Sequence, residues 1–218
     1  MSIAKIFWDG GVVMVPLLLF SILAIALVIE RSVFWFKINK RQRRVVRDVL
    51  NLYQADELEA ARAKLQQNIN LPISRIFLAA LSLEQPKPEN FRLALETEAQ
   101  AEIPSLKRFN VLFETIISLA PLLGLLGTVL GLIASFASLN VGDVGGSKTS
   151  GVTAGISEAL VSTASGLVVA IFTLMFANTF RGFYIRQIAL IQEYSGQLEL
   201  LYSNRYDQQV EKSYASTR

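Results

Sequence analysis

The chain has no cysteine and no histidine among its 218 residues. Disulfides, thiol catalysis, haem held by histidine and the usual zinc sites are therefore excluded, because each needs a sulfur or imidazole group. Neither the GxxxxGKS/T loop nor GxGxxG occurs, so the known glycine cradles for nucleotide phosphates are missing as well. Charged residues are scarce at 18%. No catalytic constellation is evident, and no enzyme activity, cofactor or metal is expected.

What the chain has is apolar surface in blocks. Hydrophobic residues make up 52% of it and the mean hydropathy is +0.40. Residues 10–29, 115–142 and 159–180 carry no charge at all. At about 1.5 Å per residue each run covers a hydrocarbon core of roughly 30 Å, which predicts an all-α membrane protein with three transmembrane helices. The first run is not a secretory leader by charge order. Only Lys5 precedes it, while Arg31, Lys37, Lys40, Arg41, Arg43, Arg44 and Arg47 follow, and no small-x-small cleavage site is present.

Basic residues set the expected orientation. The segment 36–108 holds 13 Lys and Arg, the hairpin 139–150 only Lys148, and the tail again has Arg181, Arg186, Arg205, Lys212 and Arg218. By the positive-inside rule the N-terminus and the hairpin lie outside, the long loop and the tail inside. That bias also accounts for the isoelectric point near 9.2, so nucleic-acid binding is not inferred from it.

The inner segments read as helical. Val45, Val46, Val49, Leu52, Tyr53 and Leu65 recur at three- and four-residue steps, and Gln85-Pro86-Lys87-Pro88 separates an earlier helical part from one beginning near Glu89 or Asn90. Kinks are expected at Pro104 and Pro121, and a helix unbroken from Asn90 to Ser138 would reach about 70 Å. The third span is predicted to continue through Tyr184, Ile188, Ile191, Tyr194, Leu198 and Leu201, with a disordered tail from about Arg205.

Polar and small residues within the spans mark the candidate site. Gly127 and Gly131 form a GxxxG pair, and Gly124 with Thr128 a second small pair, so this helix face admits close approach; packing alone is one sufficient reason for the glycines. Thr128 either lines a polar path or satisfies its hydroxyl on the carbonyl one turn back. Glu158 is the sharpest signal, since an acid at a span centre costs about 2.5 to 3.5 kcal/mol and should face a protein interior or a hydrated cavity. The alternative places it near the outer boundary, in reach of water. Ser162 and Ser165 fall on roughly the same helical face as Glu158, with Thr163 on an adjacent one.

Two runs, Ala120-Pro-Leu-Leu-Gly-Leu-Leu-Gly-Thr-Val-Leu-Gly131 and Gly155-Ile-Ser-Glu-Ala-Leu-Val-Ser-Thr-Ala-Ser-Gly-Leu-Val-Val-Ala170, together with Ile29-Glu30-Arg31 closing the first span, resemble the signature of the MotA/TolQ/ExbB proton-channel family. Within it they are most similar to the ExbB and TolQ branch. The resemblance implies a bacterial inner-membrane, multi-pass subunit with a periplasmic N-terminus and a cytoplasmic C-terminus. It implies a homopentameric ring around two copies of an ExbD/TolR-like single-span partner, coupled to a TonB-like protein. By motif, Thr128 and Thr163 would line the pore and Glu158 would be the acid near its periplasmic side, with protons as the coupling ion and the proton-carrying aspartate on the partner.

The residues agree that a second chain or a water wire is needed, because the spans contain no Asp and Glu158, the only acid between Thr115 and Phe180 other than Asp143 in the hairpin, cannot alone relay protons across about 30 Å. The expected organisation is a periplasmic N-terminus (1–9), transmembrane helix 1 (10–35), a cytoplasmic helical region (36–108), transmembrane helix 2 (109–138), a periplasmic hairpin (139–150), transmembrane helix 3 (151–180) and a cytoplasmic extension (181–218). Phe172 stands where relatives often have proline, which removes a kink from the third span. A TolQ-like role in envelope maintenance, and a helical scaffold or autonomous ion channel, are the competing readings.

Overall fold

The computed structural model describes residues 7, 10–138 and 148–216. The expected outer N-terminus, apart from Phe7, and most of the expected hairpin lie outside the described residues. Six helices follow one another: α1 (Met14–Gln54), α2 (Leu58–Gln67), α3 (Pro72–Leu81), α4 (Pro88–Leu106), α5 (Asn110–Ala137) and α6 (Lys148–Ser216). No strand occurs among the described residues. Three of the helical stretches are long and apolar enough to cross a bilayer, within α1, at α5 and within α6.

The chain divides into two compact units, Met1–Ser32 with Phe109–Phe180, and Val33–Arg108 with Arg181–Arg218. The first unit is apolar on its outside. Leu160 is 67% and Ile171 65% exposed, and Leu122, Leu125, Val129 and Ile133 also face outward. A water-soluble bundle could not tolerate that surface, whereas lipid can. Its interior combines small side chains with Phe113, Ile116 and Phe180 and a cluster of Val13, Met14, Leu17, Ala120 and Ala170, against which Phe20, Leu123 and Val169 pack.

The second unit has an ordinary aqueous-type core. Val45, Val46, Val49, Tyr53 and Leu65 are buried, as the periodicity predicts, and Leu52 is half-buried. Helix α3 starts on Pro72, whose missing N–H would be unpaired at a first turn anyway, and it buries Ile73, Ile76, Phe77, Ala80 and Leu81. Glu102 is buried and takes two hydrogen bonds from Arg75, each 2.5 Å. The Gln85–Pro88 break falls between α3 and α4, with Pro88 at the first turn of α4.

Two expectations are corrected. The helix does not run unbroken from Asn90 to Ser138. It stops at Leu106 and restarts at Asn110, because Phe109 adopts a left-handed backbone at φ 70°. For a bulky residue that conformation costs of order 1–3 kcal/mol. The Arg31 guanidinium lies 5.4 Å from the centre of the Phe109 ring and offsets part of it. Pro104 and Pro121 both sit inside helices.

The tail from Arg205 is not disordered either, since α6 continues helical to Ser216. Its polar composition is held by partners from earlier in the chain. Arg205 pairs with Asp56, and Tyr202 stacks on Phe91 with ring centres 3.9 Å apart. The Tyr202 hydroxyl donates to the carbonyl of Pro86.

Candidate functional site

Helix α5 buries Phe113, Ile116, Ala120, Gly124, Gly127, Gly131 and Ser135, a stripe with steps of three and four residues. Facing it, α6 buries Gly155, Ala159, Ser162, Gly166, Ala170 and Thr173 at the same steps. Nearly every position on this seam is small, so the two backbones approach closely. A Cβ added to Gly127 would lie 2.3 Å from Ser162 Oγ, and one on Gly131 would lie 2.6 Å from the carbonyl oxygen of Gly155. From the other side, a Cβ on Gly166 would lie 2.5 Å from the carbonyl oxygen of Ala120, and one on Gly155 2.1 Å from Ser135 Oγ.

The hydroxyls of the seam are satisfied locally and across it. Thr163 donates to the carbonyl oxygen of Gly124 at 3.0 Å, and Ser162 to Ala159 at 2.9 Å with a longer contact to Gly124 at 3.4 Å. Ser135 donates to Gly131 on its own helix at 2.9 Å and reaches Val152 of α6 at 3.3 Å. Ser165 bonds back to Val161 and Thr128 to Leu125, at 2.8 and 2.6 Å. Thr128 therefore makes the local bond, which uses its hydroxyl proton and leaves its oxygen able to accept from a neighbour, and it is half-buried.

Of the polar strip expected from Glu158, Ser162 and Ser165, Glu158 and Ser165 are half-buried and Ser162 is buried. Ser162 is fully buried in the seam, wedged into the notch at Gly127. Glu158 is half-buried and faces the start of α1, where its Oε1 occupies the space that a Cβ of Gly11 would take, 1.6 Å from that position. Thr163 is five positions after Glu158, about 140° around the helix, so within one chain the acid and that hydroxyl do not share a face. Pro121 lies one position from the seam residue Ala120 and is half-buried.

Four participants, Gly155, Gly166, Ser135 and Gly11, lie outside the residues singled out in the sequence. Gly155 and Gly166 supply the α6 half of the seam, and Ser135 closes its end. The small residues Gly155, Ala159, Ser162, Gly166 and Ala170, at steps of four, three, four and four, were the signal for the first two. Gly11 carries no comparable pattern, because one glycine in a short turn has many explanations.

Residues 68–193, which include α5 and the whole facing stretch of α6, match the model of the MotA/TolQ/ExbB proton channel family. The chain belongs to the MotA/TolQ/ExbB family. Among relatives, the protein named ExbB-like 3 of Synechocystis sp. is 60% identical over 209 residues, covering 96% of this chain and 99% of its own length. ExbB-like 1 of the same organism is 45% identical over 197 residues, covering 90% and 77%. The biopolymer transport protein ExbB of Salmonella typhimurium is 31% identical over 206 residues, covering 89% and 82%. This ExbB-like protein is thus a multi-pass membrane protein of a proton-channel family, and its glycine seam, Thr128, Glu158 and Thr163 all fall inside the family segment.

Proposed function

We propose that this chain is the ring-forming subunit of an inner-membrane motor, which uses proton flow to do mechanical work for import across the outer membrane. Five copies surround the single membrane helices of two ExbD/TolR-like partner chains, and a TonB-like protein carries the force outward. The N-terminus lies in the periplasm, and the C-terminus in the cytoplasm. Glu158, Thr128 and Thr163 belong to the ion path, while Gly124, Gly127 and Gly131 hold the helices that present them.

The observation that carries this reading is the pairing of α5 and α6 through a seam of glycines, with a single acid placed beside it. The seam keeps two spans together without large side chains, and a lone acid is insufficient for a relay, so the missing proton carrier comes from the partner. The ExbB names of the relatives support the import role over the TolQ-like one.

The test is substitution with assembly monitored. Glu158→Ala and Thr163→Ala each abolish partner-dependent uptake while the complex purifies with unchanged mass and composition. Full uptake in both variants would refute the motor reading. Purification of this chain in no closed ring, with proton conduction in liposomes by itself, would establish the autonomous channel in its place.

A further inference from the structure

The start of α1 makes a contact that the seam does not explain. Gly10 and Gly11 precede the helix, and the carbonyl oxygen of Gly11 accepts the first hydrogen bond of the turn, from the N–H of Met14 at 3.1 Å. The turn is anchored, because Val13, Met14 and Leu17 immediately after it are buried in the membrane unit. Gly11 has φ +71°, and its missing side chain leaves the space into which Glu158 reaches. Three carboxyl-side atoms of Glu158 crowd that position, Oε1 at 1.6 Å, Cδ at 2.5 Å and Cγ at 3.0 Å from a Cβ built there. The crowding belongs to Gly11 alone. A Cβ on Gly10 would meet the flexible end of Met14 and, at 3.2 Å, Val161. No charged residue lies in 10–29, and α5 carries only Glu114, near its opposite end, so among the described residues of these two helices no ion pair holds the acid in place.

We propose that Gly11 is the positioning residue for Glu158: the side-chain-free turn at the start of α1 is the seat that fixes the carboxyl group against the membrane unit. Any residue with a Cβ at position 11 displaces the carboxyl from this seat, whether or not that residue tolerates the left-handed backbone. The importance of the seat for transport rests on the role proposed above for Glu158, whereas the seat itself does not.

Carbodiimide labelling of Glu158 in native membranes, localised by mass spectrometry, reads the position of the carboxyl without reference to transport, since an apolar carbodiimide reacts selectively with carboxyls in water-shielded, apolar surroundings. Wild-type protein is labelled at Glu158. Gly11→Ala and Gly11→Asn both slow this labelling several-fold, because the displaced carboxyl leaves its water-shielded seat. Asparagine tolerates left-handed backbone and so keeps the fold where alanine is strained, leaving the added side chain rather than backbone strain to displace the carboxyl. Gly10→Ala labels as wild type.

Equal labelling of Gly11→Asn and wild type would overturn the proposal, because the glycine would then serve backbone conformation alone. Absence of label at Glu158 in wild type would overturn it too. Uptake measured on the same variants separates the two claims. Slowed labelling in the Gly11 variants with full uptake in Glu158→Ala keeps the seat and refutes the ion-path role. Unchanged labelling with uptake lost in Glu158→Ala does the reverse.

Discussion

Thr163 donates its hydroxyl to the carbonyl oxygen of Gly124 at 3.0 Å, so the same side chain proposed for the ion path also ties α6 to α5. Bonds of this kind within membranes contribute about 0.6 kcal/mol on average. Thr163→Val, which keeps shape and removes the hydroxyl, should therefore leave the thermal midpoint in detergent nearly unchanged while uptake fails. Thr163→Ser should retain uptake. A large loss of thermal stability in the valine variant would assign the residue to packing.

Substitution within the seam has the opposite signature. Gly166→Ala drives a Cβ toward the backbone oxygen of Ala120, which cannot rotate away, and overpacking of this kind costs about 1–3 kcal/mol. Gly182→Ala, at a glycine of the same helix with nothing within 4 Å, should be neutral or stabilising by up to about 1 kcal/mol. Thermal unfolding of the two variants side by side checks the contrast.

In the second unit, Arg75→Ala removes both guanidinium bonds from the buried carboxylate of Glu102, which keeps a bond from the Ser105 hydroxyl at 3.0 Å. Because Arg75 is partly exposed, we expect a loss of about 2–3 kcal/mol, below the full value for a wholly buried pair. Replacing both residues with methionine should destabilise less than the single change. Chemical unfolding followed by circular dichroism measures both.

Alkaline pH probes Tyr53. Burial holds its phenol above the usual value of 10.0, while the Arg205 guanidinium pulls it partly back and Tyr202 and Asp56 add to the rise. A raised folded-state value means that the stabilisation is complete below pH 10 and is lost as pH climbs through the higher folded value. Helical content should decline above pH 10, and Tyr53→Phe should make that decline shallower. An identical alkaline profile in the variant would exclude Tyr53 as a contributor.

The apolar spans were legible because lipid forbids charge over a fixed length, and that demand is written into every residue of the run. Val45, Val46 and Val49 were legible for a related reason, since one face of a helix in water must be apolar. The break at Phe109 was not, because neither glycine nor proline stands there and the left-handed turn is held by tertiary contact with Arg31. The helical course of α6 past Arg205 was hidden likewise. Its partners Asp56, Pro86 and Phe91 lie far away in sequence, and a polar segment without them has every mark of disorder. The juxtaposition of Glu158 with Gly11 joins two residues from separate spans, and local pattern cannot express it.

The glycine seam also has a genetic consequence. Every codon for glycine begins with GG, and any single-base missense change adds at least a Cβ, often a branched or charged side chain. At Gly124, Gly127, Gly131, Gly155 and Gly166 that first atom already falls against backbone or against a short serine. These five positions therefore have no mild neighbour within one mutational step, and in a saturation scan they should rank among the least forgiving sites of the chain.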